Sequence, residues 1–119
     1  MFASLLIFVV LMAGQAPKAA NRAVTIYLAG DSTMAQKLPE KRPETGWGEM
    51  LGKFFEAGKV NIDNRAQNGR STRTFISEQR WQAIVDQLQP GDYVFIQFGH
   101  NDESREKVDR YLVKYLKRK

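Results

Sequence analysis

The sequence has no cysteine, so neither a disulfide framework nor a thiolate metal site is open to it. It has one histidine, His100, and a lone imidazole without thiols makes no recognisable ligand set. No metal and no cofactor are therefore expected. No apolar run approaches the ~20 residues that a membrane-spanning helix needs, so stable membrane association is not expected. Net positive charge is missing from most of the chain. Seven basic and two acidic residues lie between Arg105 and Lys119, which accounts for the whole formal charge of +5. A neutral body with a basic end suits a solvated helix face better than a groove tracking phosphates, so nucleic acid is not an expected partner.

What is present begins with a short leader. Leu5 to Met12 is continuously apolar and is followed by small residues at Gly14 and Ala16. That pattern suits a signal peptide cleaved after Ala16, and hence a secreted or periplasmic protein. One element is lacking, since no Lys or Arg precedes the apolar run. The other reading of the run is a buried strand or helix at a domain edge. Residues 1–20 are taken as signal peptide and leader, and 21–119 as the folded part. With 119 residues, 43% of them hydrophobic, one compact domain is expected.

Within that part, three apolar stretches read as strands: 24–29, 60–64 and 93–98. The first is β-branched and nearly continuous, as a strand covered on both faces would be. Trp47, Met50, Leu51, Phe54 and Phe55 recur at helical spacing, closed by Gly58. Trp81, Ile84, Val85 and Leu88 repeat the spacing before Pro90-Gly91, and Val108, Tyr111, Leu112, Tyr115 and Leu116 mark a last helix. The segments 36–45 and 65–74 read as loops. Alternation of this kind predicts an α/β fold, a doubly wound, flavodoxin-like, three-layer parallel sheet, here of about three strands. Strand 24–29 is expected between the other two, with ligands beyond the carboxyl ends of the strands. An edge strand is expected to be left uncovered.

Each strand is followed by a polar cluster, at 30–33, 64–74 and 99–102. Ser32, on a turn after a strand and ahead of a helix, would present its Oγ and its own backbone N–H. Alternatively, Asp31, Ser32 or Thr33 caps the next helix. Asn68-Gly69 is a turn signal whose amide can serve as an oxyanion donor. Asn101 offers a side-chain amide for the same purpose. Asp102 either orients its loop or caps the last helix. His100 is a candidate base, although a neighbour of Asn101 on an extended loop is expected to point elsewhere, toward substrate or into loop ordering.

Taken together, Gly30-Asp31-Ser32, Gly69 within Ala66-Gln67-Asn68-Gly69, and Gly99-His100-Asn101-Asp102 resemble the first three blocks of the SGNH (GDSL-type) hydrolase superfamily. The longer stretches Ala29 to Ala35, Gly46-Trp47-Gly48, Asn68 to Phe75 and Gln97 to Asp102 resemble its rhamnogalacturonan acetylesterase group. The similarity covers roughly residues 24–110. It implies that Ser32 is the nucleophile, and that the Ser32 and Gly69 amides and the Asn101 side chain form the oxyanion hole. Asp31, Asn68, His100 and Asp102 would face substrate or order the loops. The implied partner is an acetylated pectic or related polysaccharide, deacetylated without a cofactor. In the family, acid and base lie in a later Asp-x-x-His block. No histidine follows His100 here, so the chain is expected to be the N-terminal part of such a domain and inactive alone. Two other readings stay open. One is a non-catalytic carbohydrate-binding module, in which Ser32, Asn68 and Asn101 bond sugar hydroxyls. The other is a flavodoxin-like phosphate site at a helix start near Ser32-Thr33.

Overall fold

A computed structural model describes residues 22–104. Three strands form one sheet, β1 (Val24–Gly30), β2 (Val60–Asn64) and β3 (Tyr93–Gln97), in the order β2-β1-β3. Both pairings are parallel, with Val24 opposite Val60 and Leu28 opposite Asn64 on one side, and Ile26 opposite Tyr93 and Gly30 opposite Gln97 on the other. The order and direction are those expected from the alternating pattern. β1 is nearly continuous in apolar character because each of its faces has its own core. Ile26 and Leu28 pack with Met34, Leu51, Val60, Ile62 and Ala66. Tyr27 and Ala29 pack with Phe75, Ile84, Trp81, Val94 and Phe98 on the other side. There the Phe75 and Phe98 rings meet edge-to-face at 5.2 Å between centroids, the arrangement favoured by the ring quadrupoles. The outer strand is covered less, with Tyr93, Phe95 and Ile96 exposed.

The helices depart from the sequence pattern in two places. The helix expected over 47–55 is a single α-turn, α1 (Trp47–Met50), running into a 3₁₀ segment, Leu51–Phe54. The tighter winding of a 3₁₀ segment, with three residues per turn, carries position i+7 off the apolar face. Phe54 is accordingly 82% exposed. In the second place, 65–74 is loop only as far as Ser71. There α2 (Thr72–Ser77) starts, followed after Gln79 by α3 (Arg80–Val85). The start is capped reciprocally. Ser71 Oγ accepts from the Thr74 amide at 3.2 Å, and Thr74 Oγ1 accepts from the Ser71 amide at 2.9 Å. A threonine at the third position does what Glu or Gln usually does in this motif, and that hid the helix start from the pattern. The expected leader 1–20 and the expected helix over 108–116 lie outside the described residues.

Two polar anchors hold the ends of the sheet. At the amino end, the Asp92 carboxylate accepts from Arg22 at 2.8 Å and from the amides of Thr25 at 2.9 Å and Gln89 at 3.0 Å. It ties the strand β1 to the turn before β3. The Arg22 guanidinium first, and then the Thr25 amide, hold its pKa below the ordinary aspartate value. At the carboxyl end, Glu49 organises the 36–49 segment. Its Oε1 accepts from the amides of Lys37 and Gly46, each at 3.0 Å, and its Oε2 pairs with Arg42 at 2.5 Å. The Arg42 bond is the main cause of a lowered Glu49 pKa. Gly46 lies so close to the preceding loop that a Cβ there would come within 2.0 Å of the Ala35 carbonyl oxygen.

Both carboxylates have folded-state pKa values below their unfolded ones. Their stabilisation is complete above the unfolded values of ~4 and is lost as pH falls through the lower folded values. Denaturant melts should therefore show constant contributions near neutrality and a decline below about pH 4. In Asp92→Ala, stability at pH 7 should drop and the acid decline should become shallower. Gly46→Ala should cost about 2 kcal/mol or more, the upper range for forced overpacking, because the obstacle is backbone. An unchanged urea midpoint for Gly46→Ala would contradict this packing.

Candidate active site

The carboxyl ends of the three strands lead into three loops that share hydrogen bonds. The Gly30 carbonyl accepts from the Gln67 amide at 3.0 Å, while the Asp31 amide donates to the Gln97 carbonyl at 3.3 Å. The loop after β1 is thus bonded on one side to the loop after β2 and on the other to the end of β3. Gly30 leaves no room for a side chain there, since a Cβ would lie 2.7 Å from Met34 Sδ and 2.8 Å from the Gln97 carbonyl oxygen. The remaining two loops bond to each other. Asn101 Nδ2 donates to the Arg70 carbonyl at 3.0 Å, and Asp102 accepts from the Thr72 amide at 3.0 Å and from the Thr72 hydroxyl.

Ser32 sits at the centre of the first loop, half-buried. The amides of Met34 and Ala35 both donate to the Asp31 carbonyl, at 3.2 and 3.0 Å, so the chain turns sharply after β1. No helix follows directly. The next helical residues are the 3₁₀ turn Pro39–Lys41, and helix-capping by Asp31, Ser32 or Thr33 is not what shapes this segment. The same absence of a helix start removes the geometry required for a phosphate site at Ser32-Thr33. Asp31 is 1% exposed, so it orders the loop rather than facing the crevice. Its Oδ1 accepts from the Thr33 amide at 3.0 Å and from the Thr33 hydroxyl.

Several residues to which the sequence assigned no role fix this turn. Lys37 is buried, donates its ammonium to the Ser32 carbonyl, and pairs with Glu44 at 3.3 Å. Asn64, at the end of β2, donates to the Met34 carbonyl at 3.1 Å and accepts from the Ala66 amide at 3.1 Å. Gln97, the last residue of β3, donates through Nε2 to Thr33 Oγ1 at 2.9 Å, and its Oε1 accepts from Trp47 Nε1 at 3.4 Å. A hydroxyl has a single proton, so Thr33 gives it to Asp31 and accepts from Gln97. The bonds of Asn64 to Met34 and of Gln97 to Thr33 and Trp47 could not be found by spacing, because each joins segments far apart in sequence.

The other candidates fall on the second and third loops. Gly69 has φ +73° in a turn in which the Arg70 amide donates to the Gln67 carbonyl at 3.3 Å. A positive φ at the third position is the type II requirement that glycine meets without strain. Asn68 is exposed, and its carbonyl accepts from Arg70 at 3.0 Å. The Asn101 side chain joins loops two and three through Arg70, within one residue of Gly69. Asp102 holds the start of α2. His100 is exposed on a turn. Glu78 lies between Arg80 at 2.6 Å and Arg70 at 3.0 Å, and these two guanidiniums lower its pKa in that order. The ion pair braces Arg70, whose carbonyl receives Asn101. Among the described residues there is no group of three or more His, Asp or Glu able to hold a metal.

Comparison with known proteins places this arrangement. Residues 28–118 match the model of the GDSL-like lipase/acylhydrolase family. The chain is 46% identical over 90 residues to the probable rhamnogalacturonan acetylesterase YesY of Bacillus subtilis, covering 76% of this chain and 41% of that protein. It is 52% identical over 80 residues to the rhamnogalacturonan acetylesterase of Emericella nidulans, covering 67% of this chain and 29% of that one. Among solved structures, protein YxiM of Bacillus subtilis superposes with a TM-score of 0.65 at 33% identity, over 71% of this chain and 24% of that one. The chain thus spans less than half the length of these relatives. With its parallel sheet, its three linked loops and a family match over most of its length, the chain belongs to the GDSL-like lipase/acylhydrolase family.

Proposed function

We propose that this chain carries the nucleophile and the oxyanion-binding half of a serine esterase that deacetylates a pectic or related polysaccharide. The observation behind this reading is the shared bonding of the three loops around Gly30-Asp31-Ser32, which brings their residues to one edge of the sheet. In this reading Ser32 Oγ attacks the acetyl carbonyl. The Ser32 and Gly69 amides and the Asn101 side-chain N–H then bind the developing oxyanion, where preorganised donors are most effective. Asp31 and Asp102 hold the loops, and Asn68 and His100 line the approach. Relatives named as rhamnogalacturonan acetylesterases support the choice of substrate class. A secreted or periplasmic setting, with cleavage after Ala16, belongs to the same proposal, as does the assignment of 21–119 to the N-terminal part of the hydrolase domain.

The 119 residues contain no Asp-x-x-His, and His100 stands one residue from Asn101. We therefore propose that the chain by itself turns over weakly, at the level left when a serine loses its base, of order 10³–10⁴ over water. The single exposed histidine also favours a second reading, a carbohydrate-binding module in which Ser32, Asn68 and Asn101 bond sugar hydroxyls.

The two readings give opposite results with a fluorophosphonate probe. When the chain is joined to the Asp-x-x-His segment of a related esterase, Ser32 should become labelled, and Ser32→Ala should abolish labelling and acetate release. No labelling of that folded chimera would sink the esterase reading. In the same chimera, Asn101→Ala should lower turnover roughly 10²–10³-fold through loss of one oxyanion donor. His100→Ala should reduce it far less. An equal collapse in His100→Ala would make His100 the base and overturn its assigned place.

A further inference from the structure

The motif Gly46-Trp47-Gly48 is not accounted for by acyl transfer, yet it stands beside the proposed nucleophile. The two tryptophans of this chain have different surroundings. Trp81 packs partly buried against the core on one face of β1. Trp47 is 39% exposed at the carboxyl edge of the sheet. Its placement is fixed at two points. The Trp47 amide donates to the Thr33 carbonyl at 3.1 Å, and its indole Nε1 donates to Gln97 Oε1 at 3.4 Å. Thr33 follows Ser32 directly, so the indole is mounted on the nucleophile's own loop.

The mount itself is rigid. A Cβ at Gly46 would lie 2.0 Å from the Ala35 carbonyl oxygen, and one at Gly48 would lie 2.6 Å from both Asn64 Nδ2 and the Met34 carbonyl oxygen. The glycines therefore let the backbone on both sides of Trp47 press against the nucleophile loop. Core packing does not explain the position. An indole that is anchored at its N–H edge while its ring stays accessible is suited to a ligand with one apolar face and a polar rim. A pyranose ring has that form, with C–H groups on its face and hydroxyls around its edge. An aromatic platform with a few fixed polar groups is also how small ligands are oriented in general.

We propose that Trp47 is a stacking platform for a sugar ring of the polysaccharide, holding the residue next to the Ser32 hydroxyl. This rests on the carbohydrate esterase reading above and adds the residue that orients the substrate. Gln97 is then a positioning residue, since it holds the indole edge and the Thr33 hydroxyl together.

Trp81→Phe in the full chain leaves Trp47 as the sole tryptophan. Titration with acetylated rhamnogalacturonan oligosaccharides should then give a saturable change in Trp47 emission. By calorimetry, Trp47→Ala should raise the Kd roughly tenfold or more, as removal of an aromatic anchor does. Trp47→Phe, which keeps the ring but loses the N–H, should bind within a few-fold of the parent. If emission does not respond at saturating ligand, or if Trp47→Phe and Trp47→Ala are equally defective, the platform is wrong and the indole serves only to brace Gln97. Unaltered binding by a Trp47→Ala variant with a native circular dichroism spectrum would overturn it as well. These outcomes are separable from failure of the esterase reading. Trp47-dependent binding without Ser32 acylation in the completed chimera would sink the esterase alone, and acylation without Trp47-dependent binding would sink the platform alone.

Discussion

At the end of β1 two consecutive residues bond in opposite directions: the Gly30 carbonyl receives the Gln67 amide, and the Asp31 amide reaches the Gln97 carbonyl. Because β1 is the central strand, these bonds continue the two parallel ladders one step beyond the sheet, into the loops. The position of Ser32 then follows from backbone pairing. A side chain at Gly30 would break the arrangement, since Met34 Sδ and the Gln97 carbonyl already occupy that space. Everything at this edge depends on that close approach.

Buried polar groups complete the turn. Asp31 satisfies the Thr33 amide and hydroxyl through one oxygen, while its Oδ2 is buried without a hydrogen-bond partner. Lys37 brings a buried positive charge to the Ser32 carbonyl and is itself paired with Glu44. Burying charge is costly unless it is paired and hydrogen-bonded, so such groups are informative where they occur. Here Asp31 and Lys37 both lie in the loop that follows β1 and carries Ser32. The 36–49 segment, held by Glu49 through Lys37, Gly46 and Arg42, works as a strap that keeps this loop in place. A long loop of polar composition is thereby given a definite shape by three contacts to one carboxylate.

The sheet also accounts for the different character of the loops. The first is bonded on both sides, with Asp31, Met34, Ala35 and Lys37 buried, and it carries Ser32. The second and third meet through Asn101 with Arg70 and Asp102 with Thr72. Membership of the GDSL-like family and the bonding of the three loops are consistent with one another, because the matched residues 28–118 include all three loops.

The strands, their parallel order and the three polar clusters were legible in the sequence because each depends on local pattern. A doubly covered strand must be apolar on both faces, as Val24 to Ala29 is apart from Thr25, and a βαβ connection has one favoured hand. Glycine at positive φ, as at Gly69, is likewise a local requirement. The helices were less legible. The apolar spacing from Trp47 to Phe55 persisted through a change to 3₁₀ winding, and the Ser71–Thr74 cap lacks the usual acidic partner. Which residues surround Ser32 was decided only in three dimensions. Lys37 and Asn64 have no periodicity or motif to announce them; Asn64 and Gln97 meet their partners because the sheet brings separate chain segments within hydrogen-bond distance, and Lys37 because its own loop folds back onto the Ser32 carbonyl. Asp31 and Asp102 were visible as polar loop residues, but only the folded chain made one a buried brace of Thr33 and the other a cap for α2. Local sequence determines where strands and turns form; the pairing of β1 with both neighbours determines which side chains meet.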